Sequence, residues 1–351
     1  MQYIAQKVKE CTGISTTTRD IENILSALRS TSEFWELIRL SNKPFVVVME
    51  TIKILVDEGF VELKKEGTIT LTESGVNFLE EHNIKPRVEY VCPYCCGRGV
   101  RIDGFESLLS KFKDITDGRP EPVLKYDQAY VTEETAVARI ALMADRGDLH
   151  GKDIIILGDD DLTSIAAALS GLPNRIMVLE VDERIVRFIN DVASKHNLSI
   201  EARLHDLSKK LPDEYVGRFD TFLTDPPDTL EALKLFVRRG ITSLKGEGCA
   251  GYFGVTSAEA SLNKWYKFQS ALLAECNVVI TDIIHDFNRY VNWNYLLENV
   301  SNDLPFMQRK PSNIWYCSSM YRIETVGNPA HINGDISDSN ELYIDKESIV
   351  F

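Results

Sequence analysis

No stretch of this 351-residue chain approaches a membrane span, since a helix crossing a bilayer needs about 20 consecutive apolar residues. Met1 to Gly13 carries lysines but neither a continuous apolar run nor a cleavage site, so a secretory leader is not expected and a cytoplasmic location is. Cysteine is scarce and badly patterned for disulfides. There are seven, an odd number, with Cys11, Cys249, Cys276 and Cys317 isolated and Cys92, Cys95 and Cys96 clustered. That pattern argues against a secreted disulfide framework and for reduced thiols. Positive charge is also short, with 39 lysines and arginines against 53 acids and a net charge of −14. Such a balance repels a nucleic-acid backbone and attracts polycations.

What remains is ordinary for a globular protein, 44% hydrophobic and 26% charged, and long enough for two domains with extensions. Residues 1–90 read as a small α+β unit. Helical spacing in TRDIENILSALRS, SEFWELIRLS and FVVVMETIKILVDEG is followed by an alternating ribbon that turns at Glu66-Gly67, an order that looks like a winged helix. A DNA-reading third helix needs basic side chains, whereas Pro44 to Gly59 offers Lys53 against Glu50, Asp57 and Glu58. Packing or homodimer formation is the expected role, and nucleic acid is not an expected partner. Residues 91–125 form a linker whose VCPYCCGRGVR begins with C-x-x-C. Cys92 and Cys95 could start a structural metal site, but a closed zinc site needs four ligands and no second C-x-x-C exists.

From Asp153 onward strands alternate with helices. Strands are expected at 153–157, 175–181, 200–205, 219–224 and 249–255, with helices at 162–170, 184–196, 208–214, 229–244 and 258–275, and NVVITDIIHDF and SNIWYCSSMYRIE complete the sheet. This is an α/β fold, a doubly wound and mainly parallel sheet, spanning residues 126–325. The order resembles that of S-adenosylmethionine-dependent methyltransferases and spermidine synthases. Residues 326–351 are polar and acidic and read as a mobile tail.

Ligands of such sheets sit beyond the carboxyl ends of the strands, and those ends are acidic here. The first strand runs into Gly158 and then Asp159, Asp160 and Asp161. One acid suffices to cap a helix, so the surplus points to a cationic ligand. Glu180, 22 residues after Gly158 at the tip of the second strand, is placed to accept hydrogen bonds from ribose hydroxyls, with Asp182 as the alternative. His205 and Asp206 end the third strand, where methyltransferase-like folds hold the adenine amino group. Asp225, Pro226, Pro227 and Asp228 follow the fourth, in a loop stiffened by two prolines. Amino-directed methyltransferases continue D-P-P with an aromatic residue that stacks on a flipped base; Asp228 replaces it. An ordinary methyl donor would bring its own carboxylate among these acids. At about 4 Å and an effective dielectric near 20, each like-charge contact costs about 4 kcal/mol before screening. Decarboxylated S-adenosylmethionine, with only an ammonium on that arm, fits as donor and a polyamine fits as acceptor.

GDDD at 158–161, EVDE at 180–183, LHD at 204–206 and DPPD at 225–228, with KYDQAYVTEETAVAR upstream, look like the branched-chain polyamine synthases of thermophilic archaea and bacteria. The resemblance implies transfer of aminopropyl groups to the central secondary amine of spermidine, giving a tertiary and then a quaternary nitrogen and releasing methylthioadenosine, with no metal or other cofactor required. It further implies donor contacts around Gly158, Asp160, Asp161 and Glu180, although the glycine-rich first turn of spermidine synthases is replaced here by acids. Tyr126, Asp127 and Gln128 match the polar leading hairpin that closes over the ligand in those enzymes. An aliphatic amine must lose a proton before it attacks. Asp159, heading the acid run, is the expected base, with Asp225 second. The rival readings are an S-adenosylmethionine-dependent methyltransferase and a winged-helix regulator whose α/β part senses a small molecule.

Overall fold

The computed structural model describes residues 1–64, 66–293, 304–335 and 342–349. In the N-terminal bundle Thr17 opens the helix Thr18–Leu28 with a capping box, accepting the Asp20 N–H while its own N–H donates to the Asp20 carboxylate at 2.8 Å, which satisfies two otherwise orphaned donors. The bundle comprises α1 (Gln2–Thr12), α2 (Thr18–Leu28), α3 (Phe34–Ser41) and α4 (Phe45–Asp57). The antiparallel hairpin β1 (Val61–Leu63) and β2 (Ile69–Leu71) follows, then α5 (Glu73–Glu81). Helices α2 to α4 and the hairpin are those the sequence predicts; α1 and α5 frame them. Helix α4 buries Phe45, Val48, Ile52 and Leu55. Phe34 and Trp35 pack on Phe306 and Trp315, so this core is continuous with the later chain.

Segment 91–125, read from sequence as a linker, contributes α6 (Glu106–Thr116) to the α/β part. Its Leu108 and Phe112 share an apolar layer with Val137 and Ile140 of α7 (Glu133–Asp145). The stripe Leu108, Leu109, Phe112 and Ile115 is narrow enough for the flanking lysines and acids to mask it. Strands and helices then alternate: β3 (Asp153–Leu157), α8 (Thr163–Ser170), β4 (Arg175–Glu180), α9 (Glu183–His196), β5 (Ile200–Leu204), β6 (Thr221–Thr224), α10 (Leu230–Ser243), β7 (Ala250–Thr256), α11 (Leu262–Glu275), β8 (Val278–Arg289) and β9 (Cys317–Thr325). The seven-stranded sheet runs β5-β4-β3-β6-β7-β9-β8. Its first five strands are parallel, and β9 pairs antiparallel with both β7 and β8.

Successive side chains of β3 serve opposite layers. Ile154 and Ile156 join α6 to α9, whereas Ile155 and Leu157 join α10 and α11, each burial contributing roughly 1.5–3 kcal/mol. The helix expected at 208–214 is a loop ending in one 3-10 turn at Asp213–Tyr215. Pro212 disfavours a helical Leu211, and the Asn333 side chain takes both backbone groups of Leu211, at 2.7 and 2.9 Å. Among the described residues no helix is long and apolar enough to cross a membrane.

Candidate active site

Five parallel strands bring their carboxyl ends to one rim, and a cavity opens there. The turn after β3 is tight, with Gly158 at φ 73° and Leu162 at φ 57°, the latter a backbone region that L-residues rarely visit and that is typical of functional turns. This turn separates the three aspartates. Asp159, 1 % exposed, faces away from the cavity, its carboxylate accepting the Ser164 N–H of α8 at 3.2 and 3.3 Å. Asp161 is turned inward, accepting the Val131 N–H at 2.6 Å and pairing with Arg139 at 2.5 Å. Asp160 lines the cavity, and among the described residues no donor is bonded to its carboxylate. Of the three, Asp160 is the one that lines the cavity; sequence order cannot tell which of three adjacent acids a tight turn aims outward.

Glu180 lines the cavity beside Gly158. Its two carboxylate oxygens accept the Asp159 and Asp182 N–H groups, each at 2.8 Å, which ties β4 to the β3 turn and leaves lone pairs for a ligand. Asp182 is spent elsewhere: it caps α9 through the Arg184 N–H, pairs with the Arg184 guanidinium and accepts from Gln128 at 3.1 Å. Gln128 thus fastens the leading loop, and Tyr126, Asp127 and Gln128 all line the cavity. His205 and Asp206 line it as well. Burial holds the His205 imidazole below its ordinary pKa, and its buried Nε2 has no hydrogen-bond partner among the described residues.

Asp225, Pro226, Pro227 and Asp228 form the next wall. Asp225 Oδ2 accepts from Arg139 at 2.5 Å and from the Tyr290 hydroxyl at 2.7 Å. Gly254 on β7 leaves the space for this carboxylate, since a Cβ there would fall 2.1 Å from Asp225 Oδ1. Asp228 accepts the Thr256 N–H at 3.0 Å. Glu259, beyond the end of β7, accepts from the Tyr316 hydroxyl at 2.5 Å and from the Ile349 N–H at 2.6 Å.

That last contact belongs to the C-terminal segment, whose residues 342–349 are docked rather than a free tail. Leu342, Tyr343 and Ile349 line the cavity, and Leu342 and Ile349 are buried. Glu347 accepts both the N–H and the hydroxyl of Ser261. Lys264 pairs with Asp345 at 2.8 Å while donating to the carbonyls of Asp228 and Glu259. A polar composition hides this, because each acid here meets a specific donor. Asp338, Glu341, Val350 and Phe351 lie outside the described residues.

Seven carboxylates line the cavity, namely Asp127, Asp160, Glu180, Asp206, Asp225, Asp228 and Glu259, and no described lysine or arginine does. Burial and mutual repulsion push the Asp127, Asp160 and Asp228 carboxyls well above the usual range. Burial pushes Asp225 up to about 6, opposed by Arg139 and reinforced by Asp161. Buried carboxylates crowded in this way repel one another, and cationic groups among them relieve that repulsion.

Glu259 escaped the sequence reading although it obeys the same strand-end rule. Arg139 closes the upstream KYDQAYVTEETAVAR run without its role being readable there, and it, Tyr316 and Tyr343 all come from elements outside the parallel strands. From β8 and the residues just after it, Tyr290 reaches the cavity, whereas His285 meets Ser319 and Trp293 packs on Tyr130. Cys92 is exposed and Cys95 half-buried. Among the described residues no group of three or more His, Cys, Asp or Glu side chains is arranged to hold a metal.

A sequence profile for the branched-chain polyamine synthase A C-terminal domain matches residues 107–350. The N(4)-bis(aminopropyl)spermidine synthase of Thermococcus kodakarensis is 48% identical over 349 residues, covering 99% of each chain. The protein of the same name from Methanocaldococcus jannaschii is 46% identical over 349 residues, again covering 99% of each. The crystal structure of the branched-chain polyamine synthase from Thermus thermophilus, in complex with N4-aminopropylspermidine and 5'-methylthioadenosine, superposes with a TM-score of 0.90 at 38% identity, covering 100% of this chain and 98% of that one.

Proposed function

The chain belongs to the branched-chain polyamine synthase family, and we infer from that premise that its cavity joins decarboxylated S-adenosylmethionine to the central secondary amine of spermidine. The observation that carries this reading is the ring of seven carboxylates, with no lysine or arginine among the described residues lining it. A donor that kept its carboxylate would meet like charge on every side. A donor ending in an ammonium, and an acceptor carrying ammonium groups, meet opposite charge.

Donor and acceptor have separate ends in this reading. Glu180 accepts from the ribose hydroxyls, and His205 and Asp206 face the adenine. Asp127, Asp228 and Glu259 hold the acceptor's terminal ammonium groups, while Tyr290, Tyr316 and Tyr343 supply aromatic faces beside cationic nitrogen. The chemistry is displacement at carbon. The amine lone pair forms a bond to the methylene next to the sulfonium, the carbon–sulfur bond breaks with its electrons going to sulfur, and neutral methylthioadenosine leaves. Because the leaving group is already activated, the protein's work is to deprotonate and align the amine. Asp160 suits the base role: it lines the cavity, its carboxylate is unbonded among the described residues, and burial and neighbouring acids raise its proton affinity. The tertiary product is protonated in water; once the carboxylate has released its first proton to solvent, it takes this one, and a second transfer makes the quaternary nitrogen.

The test is incubation with decarboxylated donor and spermidine, followed by mass analysis. Products heavier by one and by two aminopropyl groups, with equivalent methylthioadenosine, are expected. Methylation from the carboxylated donor, or no product from the decarboxylated one, overturns the reading.

A further inference from the structure

A cavity built for cations has a guanidinium set directly behind one of its acids, Asp225, and bonded to a second acid, Asp161, beneath the rim. Arg139 comes from α7, ahead of the sheet and outside every strand-end motif, and is 1 % exposed. It donates to Asp161 Oδ2 and to Asp225 Oδ2, both at 2.5 Å, and its Nε donates to Asn288 Oδ1 at 2.9 Å. Asn288 donates to Ser318 Oγ at 2.9 Å. The Tyr290 hydroxyl, 2.9 Å from that same Ser318 oxygen, lies 2.7 Å from Asp225 Oδ2. Two donors converge on one oxygen of Asp225, while the other oxygen fits the space where Gly254 has no side chain. This arrangement fixes the carboxylate's rotamer from both sides.

We propose that Arg139 is a positioning residue that keeps Asp225 ionised and oriented toward the acceptor amine. The proposal rests on the aminopropyl-transfer reading above. The charged and titratable groups facing Asp225 are Asp160 and Asp161 from the turn after β3, Asp228 from its own loop, Arg139 from α7 and Tyr290 after β8. Three of these five are acids that oppose ionisation, and Arg139 is the fixed positive charge. With Arg139 in place the carboxyl sits at about 6, so it is ionised at neutral pH. Without it, burial and repulsion from the neighbouring acids act with no fixed positive charge opposing them, and the pKa rises.

The experiment compares the pH dependence of kcat and of kcat/KM for spermidine, read as methylthioadenosine release, in wild type, Arg139→Gln, Arg139→Lys and Tyr290→Phe. For Arg139→Gln the acid limb is expected to move up by about one pH unit or more, with turnover at pH 7 down about tenfold and largely recovered at pH 9. Arg139→Lys keeps the charge and should fall between this variant and wild type. Tyr290→Phe removes one donor to the same oxygen and should shift the limb less, in the same direction. Affinity for methylthioadenosine should stay within about threefold throughout, because its contacts are remote from Asp225. A folded Arg139→Gln with an unshifted limb overturns the proposal. Should that variant fail to fold, Tyr290→Phe decides: a shifted limb supports the proposal and an unshifted one overturns it. Wild type that releases no methylthioadenosine refutes the functional reading itself, a separate failure.

Discussion

Asp159 and Asp160 are consecutive yet point in opposite directions. The Asp159 carboxylate accepts the Ser164 N–H at 3.2 Å, whereas Asp160 lines the ligand cavity. The turn between Gly158 and Leu162, left-handed at both ends, produces the split.

Asp160→Asn should therefore lower turnover by a factor on the order of 10²–10⁴, the usual weight of a general base, with donor affinity changed only a few-fold. Asp159→Asn keeps an oxygen for the Ser164 N–H and should retain turnover within about tenfold. Steady-state kinetics on both variants decides the matter. Collapse of the Asp159 variant with a normal Asp160 variant would return the base to Asp159.

The rim was legible because its acids stand at strand ends, and a parallel sheet brings strand ends together whatever the loops do. Gly158, Glu180, Asp206 and Asp225 were found in this way. Side-chain direction within a turn was not legible: Asp160 lines the cavity and Asp159 does not, and Asp182 caps a helix. Contributions from outside the sheet's register were hidden too. Arg139 sits on a helix whose periodicity says only that it is buried, and Tyr343 sits in a segment whose composition reads as solvent-exposed. Long-range pairing fixes both, and a single sequence carries no trace of it.

Glu180→Gln tests the donor end. Both carboxylate oxygens receive backbone N–H groups, at 2.8 Å each, so an amide at this position turns one NH₂ toward a donor. The KM for the decarboxylated donor should rise about tenfold or more, and the melting temperature should fall, since a buried donor left unpaired costs about 1–3 kcal/mol. A collapsed kcat with an unchanged donor KM would assign Glu180 to the chemical step instead.

Stability of the ligand-free protein should decline as pH rises from the ordinary carboxylate value of 3.8 up through about 6, where Asp225 titrates. Asp127, Asp159, Asp160, Asp228 and Asp225 have carboxyls raised by burial. Across that window the folded state therefore holds more protons than the unfolded chain, and their stabilisation is lost as pH passes upward through the folded values. Carboxylates held low by cations, such as Asp20, Asp153 and Asp282, act only below their ordinary 3.8. His205, held low by burial, works in the opposite sense as a single group. Spermidine should flatten the slope by taking the protons' place, and its affinity should strengthen over the same range. Thermal melts with and without spermidine measure both effects; a rising slope for the free protein would contradict the raised carboxyls.

The docked C-terminal segment yields the last prediction. Ile349 supplies an N–H to Glu259, Glu347 grips Ser261, and Asp345 neutralises Lys264, while Leu342 and Tyr343 form part of the cavity wall. Ending the chain before Leu342 would strip the wall of apolar surface and leave Lys264 as an uncompensated cation beside Asp228 and Glu259. Repulsion of the acceptor's ammonium groups should follow, raising the KM for spermidine about tenfold or more and admitting water to the reacting amine. Because Leu342 and Ile349 are buried, the melting temperature should drop as well. Replacing Lys264 with Met in the truncated chain removes the exposed charge and should recover part of the spermidine KM without recovering stability. If the double change recovers nothing, loss of the wall accounts for the defect and the exposed charge does not; if truncation alone changes neither KM nor melting temperature, the segment has no part in closing the cavity.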